Sequence, residues 1–282
     1  FDDSPVTNAD IASNETIMKG LKEFSDFPIV SEESIIEYDN RKELKKYWLV
    51  DPLDGTKDFI AKNNQFTINI ALINKNEPVL GLVYLPVSGD FYFAKKGHGA
   101  FKNNKKIFNN SSREDLIGSD SIFHSTPEVE SFFIDNNIKK VKKYGAAIKI
   151  CKLAEGKIDV YPRFNGTKEW DTAACHIIAK EAGCKLIDLV TKKELIYNKN
   201  SLENNFFIAS RNNLDFINWM KESNKLNMIP PISVAGGYWT GSSAVVDLLS
   251  EHSECKVIPG EFSLFSFGQL FEELFIEIDN LD

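Results

Sequence analysis

The sequence of 282 residues predicts an α/β protein in which helices pack against β-sheets. An apolar periodicity typical of a helix covers residues 9–24, and several strand-like apolar runs follow it. Residues 118–188 then alternate short strands with helices, which is typical of an α/β subdomain. The sequence therefore predicts a domain at 1–223 that consists of an α+β half, 1–112, and an α/β half, 113–223.

The first half is predicted to begin with a helix and to continue as a sheet. Three apolar residues, Ile11, Met18 and Leu21, recur on one face of this helix, and Asn8 is its expected N-cap. Alternating or continuous apolar runs predict the strands 28–30, 47–50, 67–73, 79–84 and 91–94. The turn Asn74-Lys75-Asn76 is expected to join the third of these strands to the fourth.

The second half is predicted to contain an apolar helix that runs to Ala182 and stops at Gly183. Asp171 occupies the position expected for its N-cap. The lysine pairs within 139–143 are expected to form a solvated helix face rather than a binding patch. Cys175-His176 lies inside the apolar helix, so core packing is expected there rather than zinc binding.

Composition and charge exclude several functional classes. The net charge of −8 argues against a nucleic-acid polymer as partner, since that would favour a basic face. No apolar run approaches the roughly 18 residues that a membrane span needs, and no signal peptide is visible. The four cysteines lack paired spacing, which predicts reduced thiols in a cytoplasmic protein.

Residues 47–59, YWLVDPLDGTKDF, are the segment that most strongly indicates a function. The apolar strand is expected to end at Asp51, after which Pro52 and the Asp54-Gly55 pair force a turn. Carboxylates suit hard divalent cations, and the free N–H groups of such a turn suit phosphate. An ordinary acidic β-turn is the alternative, because Asp and Gly are common in turns.

Two further acidic positions favour a metal site. Glu32 follows the predicted strand 28–30 directly, and Asp171 stands at the start of the apolar helix. Together with Asp51 and Asp54, they could converge on one point. The sequence therefore predicts a site formed by several carboxylates.

The motifs SEE at 31–33, DPLDGT at 51–56 and WDTAA at 170–174 occur in an order that resembles the inositol-monophosphatase superfamily. Members of that superfamily are magnesium-dependent, lithium-sensitive phosphatases. Two flanking segments, SPVTNADIA at 4–12 and AEGKIDVYPRF at 154–164, resemble its 3'(2'),5'-bisphosphate nucleotidase branch of the bacterial CysQ type. The resemblance implies the layered α-β-α-β-α sandwich fold of the inositol and sugar phosphatases.

The resemblance extends from about residue 3 to residues 209–211 and implies a role for individual residues. Implied metal ligands, for two or three Mg²⁺ ions, are Glu32, Asp51, Asp54, Asp171 and the Leu53 carbonyl. Implied catalytic residues are Asp10 and Thr56, a pair that orients and deprotonates the attacking water, together with Glu32. Implied substrate contacts are Asp54, Gly55, Thr56 and Asp171, and the Gly55 and Thr56 N–H groups would meet the scissile phosphate.

Specificity depends on a second set of positions. The nucleotidase branch has serines in a segment that is Gly145-Ala146-Ala147-Ile148-Lys149 here, and alanines occur equally in the inositol phosphatases. The arginine that the branch carries within 121–124 is missing. Lys149 and Arg163 are candidates for a second phosphate, which an arginine matches better in geometry. The alternative is that both are surface charges at a strand edge.

The two ends of the chain differ from the family pattern. The chain starts at Phe1 almost directly at the SPVT segment, which predicts an N-terminal truncation relative to the family. Residues 224–231 are predicted to form a linker. Residues 232–282 then resemble the phosphate-binding strand, loop and helix that open a sulfotransferase, although an ordinary strand-turn-helix is an equal alternative. If the resemblance is correct, functional coupling to a sulfotransferase is expected.

Three functions compete. The first is Mg²⁺-dependent hydrolysis of the small phosphate ester 3'-phosphoadenosine 5'-phosphate to AMP and phosphate, in which two metal ions activate water. The second is hydrolysis of an inositol or sugar phosphate. The third is a non-catalytic nucleotide- or metal-binding module, and the presence of every implied catalytic residue argues against it.

Overall fold

The computed structural model describes residues 6–216 and 219 and arranges them around two β-sheets. The first sheet has seven strands among these residues, in chain order β1 to β7. Its strands are β1 Ile29–Ser31, β2 Lys46–Asp54, β3 Thr67–Asn74, β4 Glu77–Leu85, β5 Asp90–Lys95, β6 Gly99–Lys102 and β7 Lys105–Ile107. Strand β1 pairs with β2 in parallel, and the other neighbours are antiparallel.

The second sheet has five strands among the described residues, in the order β11-β12-β10-β8-β9. Its strands are β8 Ile117–Ser121, β9 Lys140–Tyr144, β10 Val160–Arg163, β11 Cys184–Asp188 and β12 Phe207–Arg211. Strand β8 pairs in parallel with both β9 and β10, whereas β12 is antiparallel to β10 and β11. The carboxyl ends of β8, β9 and β10 therefore lie at one edge of this sheet.

Helices form the remaining layers. Their bounds are α1 Asn8–Phe24, α2 Tyr38–Arg41, α3 Thr56–Ile60, α4 Pro127–Asp135, α5 Ile148–Ala154 and α6 Glu169–Glu181. Helix α6 packs on β3 and β4 of the first sheet, and its neighbour α5 packs on β10 and β12 of the second. Helix α1 packs on β2, and α4 packs on β10. The predicted fold class and its layered order are confirmed.

Two details of the first helix differ from the prediction. Its N-cap is Thr7 rather than Asn8, because the Thr7 hydroxyl accepts the Ala9 N–H at 3.2 Å. Leu21 is buried as expected, but Ile11 is exposed. Polar groups fill much of the buried face instead, and Asp10 is one of them.

The lysine run of the second half lies in a strand, so the prediction of a helix face there is wrong. Residues 140–144 form the strand β9 at the edge of its sheet, with the Lys140, Lys142 and Lys143 side chains exposed. Charged side chains on an edge strand hinder pairing with another chain. The turn at 74–76 is confirmed, since Lys75 and Asn76 both have positive φ, as a two-residue hairpin turn requires.

The expectation of core packing for Cys175-His176 is confirmed. Cys175 is a free, buried thiol, and the His176 ring lies in the core with its Nδ1 atom 2.9 Å from the Tyr197 hydroxyl. Cys151 and Cys184 are also free and buried.

Some predictions fall outside the described residues. They concern the linker at 224–231, the strand-loop-helix segment at 232–282, and the start of the SPVT segment. Within residues 6–216, no helix is long and apolar enough to cross a membrane.

Candidate active site

The two aspartates of the DPLDGT motif lie within a bulged strand rather than after it. Strand β2 continues to Asp54, and its pairing with β3 shifts register between Asp51 and Asp54. A bulge is one of the few places where a strand tolerates a proline such as Pro52. The prediction that the strand ends at Asp51 is therefore wrong, and the bulge itself displays both carboxylates.

Asp54 is held by two side chains from the neighbouring strand. The Asn69 amide donates to Asp54 Oδ2 at 3.0 Å, and the Thr67 hydroxyl lies 3.3 Å from the same oxygen. Burial raises the pKa of Asp54, while Lys149 and the Asn69 hydrogen bond oppose that rise. Asn69 and Thr67 were missed, although two polar residues at alternating positions of an apolar strand are a signal that could have found them.

Asp51 is the most deeply buried carboxylate of the site. Its side chain is 1% exposed, and its Oδ1 atom accepts the Leu53 N–H at 3.0 Å. Burial raises the pKa of Asp51 well above its usual range, and the charges of Glu32, Asp54 and Asp171 raise it further. Asp51 is thus close enough to each of the other three predicted carboxylates to be affected by its charge.

Glu32 and Asp171 reach this point from different elements. Glu32 follows β1, and its N–H donates to Val50 O of β2 at 3.2 Å. Asp171 is the third residue of α6 rather than its N-cap, and its Oδ2 atom accepts the Lys168 N–H at 2.9 Å. The N-cap prediction is wrong because Lys168 occupies that position, but Asp171 does bond to the start of the helix.

The set of donors matches a hard divalent cation in its chemistry. Carboxylates and a backbone carbonyl are the ligands that Mg²⁺ prefers. As they stand, no three His, Cys, Asp or Glu side chains within residues 6–216 form a group that could hold a metal ion. A bound cation would neutralise the repulsion between these carboxylates, of which Asp51 is buried and the other three are half-buried.

Asp10 and Thr56 meet as the resemblance implies. The Thr56 hydroxyl donates to Asp10 Oδ1 at 3.3 Å and also lies 3.4 Å from Leu53 O. The other Asp10 oxygen accepts the Thr7 N–H at 2.8 Å and the Thr7 hydroxyl at 2.5 Å. Helix α1 is tied to the bulge, because the Ser13 hydroxyl donates to Pro52 O at 2.7 Å. Asp10 is therefore a buried, oriented carboxylate.

The start of α3 is covered by a turn from the second half of the domain. Gly55, with a φ of +91°, would place a Cβ atom 3.2 Å from the Ala146 Cβ. The Gly145 N–H donates to the Gln65 side-chain oxygen at 2.9 Å. A Cβ on Gly145 would lie 2.5 Å from Gln65 O, so this position has no room for another residue. These contacts place the turn at 145–147 beside the predicted phosphate-binding N–H groups.

Lys149 anchors that turn. Its ammonium donates to Ala146 O at 2.6 Å and to Tyr144 O at 3.3 Å, and it lies 5.5 Å from the centre of the Tyr161 ring. Burial lowers the pKa of Lys149 to about 8, and nearby Arg163 lowers it too, whereas Asp54 raises it. Ala146 has a φ of +45°, which only Gly adopts at no cost, so the anchor holds a strained turn.

Arg163 lies at the carboxyl end of β10 and is buried as well. Its Nη2 atom donates to Gly166 O at 3.0 Å, but its buried Nε atom makes no hydrogen bond within the described residues. Lys149 is 6% exposed and Arg163 is 8% exposed. The alternative that they are surface charges is therefore wrong.

Comparison with known proteins decides the family. The model of the inositol monophosphatase family matches residues 2–219. The chain belongs to the inositol monophosphatase family. A relative from Salmonella typhimurium, named 3'(2'),5'-bisphosphate nucleotidase CysQ, is 43% identical over 192 residues, which cover 66% of this chain and 77% of the relative. A relative of the same name from Escherichia coli K12 is 42% identical with the same coverage.

Solved structures agree with this family. The crystal structure of CysQ from Bacteroides thetaiotaomicron is 40% identical with a TM-score of 0.68, and the match covers 74% of this chain and 86% of that one. The IMPase of Thermotoga maritima is 28% identical with a TM-score of 0.62, over 74% of this chain and 79% of that one. The prediction of a phosphatase of the inositol monophosphatase family is thus confirmed.

Proposed function

We propose that this family member is a 3'(2'),5'-bisphosphate nucleotidase that converts 3'-phosphoadenosine 5'-phosphate to AMP and phosphate. The observation that carries the proposal is the identity of 43% with a protein of that name. The geometry of the DPLDGT segment supports it, because its Thr56 hydroxyl is hydrogen-bonded to Asp10 and follows Asp51 and Asp54 closely in the chain.

Enzymes of this family are Mg²⁺-dependent in general. The residues that would hold two or three ions here are Glu32, Asp51, Asp54, Asp171 and the Leu53 carbonyl. When bound, Mg²⁺ supplies positive charge to the phosphate and makes water beside it more acidic. Lithium sensitivity is proposed as part of the same assignment.

The chain's own residues would orient the water and take its proton. The Thr56 hydroxyl donates to Asp10, so its oxygen can accept a hydrogen bond from a water molecule and align it. Asp10, oriented by Thr7, is then the acceptor for the proton that leaves the water. The first N–H groups of a helix have no partner within the helix, so those of Gly55 and Thr56 are available to a phosphate oxygen.

A bisphosphate substrate needs a site for its second phosphate. Arg163 suits this role better than Lys149, because its buried Nε atom has no hydrogen-bond partner in the described part of the chain, while the Lys149 ammonium donates to two carbonyls. An arginine can also bind phosphate through two parallel hydrogen bonds. Lys149 would instead act on the substrate indirectly, by holding the turn at 145–147 from the first turn of α5.

An inositol or sugar phosphate is the second candidate substrate. Ala146 and Ala147 favour it, since they supply no hydroxyl groups at the turn that covers Gly55. The two candidates differ in whether a second phosphate must be bound.

Replacing Arg163 tests the proposal. Hydrogen bonds to charged groups contribute about 1.5–3 kcal/mol, so Arg163→Met should lower kcat/KM for the nucleotide bisphosphate by roughly 10- to 100-fold. It should leave kcat/KM for inositol 1-phosphate unchanged. Lys143→Met, which removes an exposed charge from the same sheet, is the matched control. Equal losses on both substrates would contradict the assigned role of Arg163.

The cellular context is also a proposal. Free buried thiols at Cys151, Cys175 and Cys184 support a cytoplasmic location, where cysteines stay reduced. A role in sulfur metabolism and coupling to a sulfotransferase, which releases this nucleotide as product, follow from the resemblance at 232–282, which lies outside the described residues.

A further inference from the structure

A polar cluster, buried except for one partly exposed lysine, lies behind the start of α6. We call it the Glu169 cluster, and its members are Glu169, Asn198, Lys199 and Asn204. Glu169, the first residue of α6, is 0% exposed. Its Oε2 atom accepts the Asn198 N–H at 2.7 Å, and its Oε1 atom accepts the Lys199 N–H at 3.0 Å and the Lys199 ammonium at 2.7 Å.

Lys199 connects the two ends of the cluster. Besides Glu169, its ammonium donates to Ile196 O at 2.9 Å and to Asn204 Oδ1 at 3.2 Å. An ammonium has three protons, so these bonds account for all of them. The orientation of the Asn204 amide is thereby fixed, with its oxygen towards Lys199 and its nitrogen towards α6.

Asn204 holds α6 on both sides of Asp171. Its Nδ2 atom donates to Lys168 O at 2.8 Å and to the Thr172 hydroxyl at 3.0 Å. The Lys168 N–H donates to the Asp171 carboxylate, and Thr172 directly follows Asp171 in the chain. The cluster thus contacts the positions before and after Asp171.

We propose that the Glu169 cluster positions Asp171 for metal and substrate binding, with Lys199 as the residue that holds the cluster together. This inference rests on the proposed function, in which Asp171 is a metal ligand. The members of the cluster are positioning residues, since none of them is assigned a contact with substrate.

The chemistry of the cluster supports a positioning role over a purely stabilising one. The ion pair joins a fully buried Glu169 to a Lys199 side chain that is 22% exposed, and such a pair adds little net stability because the cost of desolvating the charges offsets their attraction. Removing one partner is nevertheless costly, since it leaves the other charge buried and unpaired. Such a pair therefore makes one arrangement of the helix start much more favourable than its alternatives.

The experiment measures Mn²⁺ binding to the folded protein by electron paramagnetic resonance, with Mn²⁺ alone as the probe. Outer partners of metal ligands typically contribute 10- to 100-fold in affinity, so Lys199→Met should weaken Mn²⁺ binding by about tenfold or more. Asn204→Asp keeps the shape but removes the amide donor, and it should weaken binding in the same direction. Circular dichroism identifies the variants that are folded.

Two further variants make the result decisive. Lys180→Met breaks the Lys180–Glu194 pair in the last turn of the same helix, remote from Asp171, and should leave Mn²⁺ affinity unchanged. Asp171→Asn should weaken binding at least as much as Lys199→Met does.

The outcomes separate the two levels of the proposal. If Lys199→Met and Asn204→Asp lower the melting temperature but bind Mn²⁺ as Lys180→Met does, the cluster is only structural and the inference is overturned. If Asp171→Asn also binds Mn²⁺ normally, the ligand assignment in the proposed function fails together with it.

Discussion

Helix α6 can approach the first sheet closely only because position 81 is a glycine. A Cβ atom on Gly81 of β4 would lie 2.3 Å from Ala174 O and 2.4 Å from Ile177 Cγ2. Ordinary contacts begin at 3.4 Å, so Gly81→Ala requires α6 to move by about 1 Å. Ala174 is one helical turn from Asp171, and the displacement should therefore reach the active site.

The structure sets the expected magnitude. Adding a methyl group to a packed core typically costs about 1–3 kcal/mol, and the upper part of this range applies because the obstacle is backbone. A loss of about 2–3 kcal/mol corresponds to a drop in Tm of roughly 4–12 °C for a domain of this size. A misplacement of about 1 Å at a catalytic group can lower turnover about 100-fold.

Gly118→Ala is the matched control. It adds a methyl group to another buried strand, β8, where the nearest atom is Phe133 Cε1 at 2.5 Å. Phe133 belongs to helix α4 and to a buried apolar cluster that includes no residue of α6. Calorimetry should show a lower Tm for both variants. Phosphate release should show a large loss of turnover only for Gly81→Ala. Equal turnover in the two folded variants would refute the coupling between this contact and the site.

Three other predictions concern titration and proton transfer. Burial lowers the pKa of His176 to about 4, so the ring stays neutral in the folded state. The unfolded chain has the ordinary pKa of about 6.5 and takes up a proton first, so the free energy of unfolding decreases as the pH falls from about 6.5 towards 4. This decrease amounts to about 3 kcal/mol. Urea unfolding of His176→Gln at several pH values should show a free energy of unfolding that no longer decreases over this range, and a decrease as steep as that of the unchanged protein would contradict the assignment. Burial raises the pKa of Asp54 and the Asn69 hydrogen bond opposes that rise, so Asn69→Leu should move the acidic limb of kcat/KM to higher pH, and an unmoved limb would argue against a required Asp54 carboxylate. Thr56→Val keeps the shape of the side chain but removes the hydroxyl that bonds to Asp10, so kcat for phosphate release should fall by about 10²- to 10⁴-fold. Thr56→Ser keeps the hydroxyl and is the control. Equal rates for the two variants would exclude this role of the hydroxyl.

Local patterns were sufficient to predict most elements and the acidic residues of the site. The apolar run before Asp51 and the apolar helix that carries Asp171 both exist, although each aspartate occupies a different position within its element from the one expected. Thr and Asn are both common N-cap residues, so residue type alone could not show whether Thr7 or Asn8 caps α1. The position of the Thr7 hydroxyl in the folded chain decides it. The lysines of β9 became strand residues because β8 provides a pairing partner.

The contacts that hold the site together could not be predicted in the same way. Gln65 bonds to Gly145, 80 residues away along the chain, and Asn204 bonds to Thr172, 32 residues away. Such pairs leave no periodic signal in one sequence, since each depends on how separate elements pack. The sequence located the acidic groups, and tertiary packing determined what orients them.

The most direct test of the proposed function compares two substrates. Phosphate release with Mg²⁺ would be measured from 3'-phosphoadenosine 5'-phosphate and from inositol 1-phosphate, side by side. The proposal predicts a higher kcat/KM for the nucleotide, and a preference that disappears in Arg163→Met. A higher kcat/KM for inositol 1-phosphate would contradict it and would make Ala146 and Ala147 the better guide to the substrate.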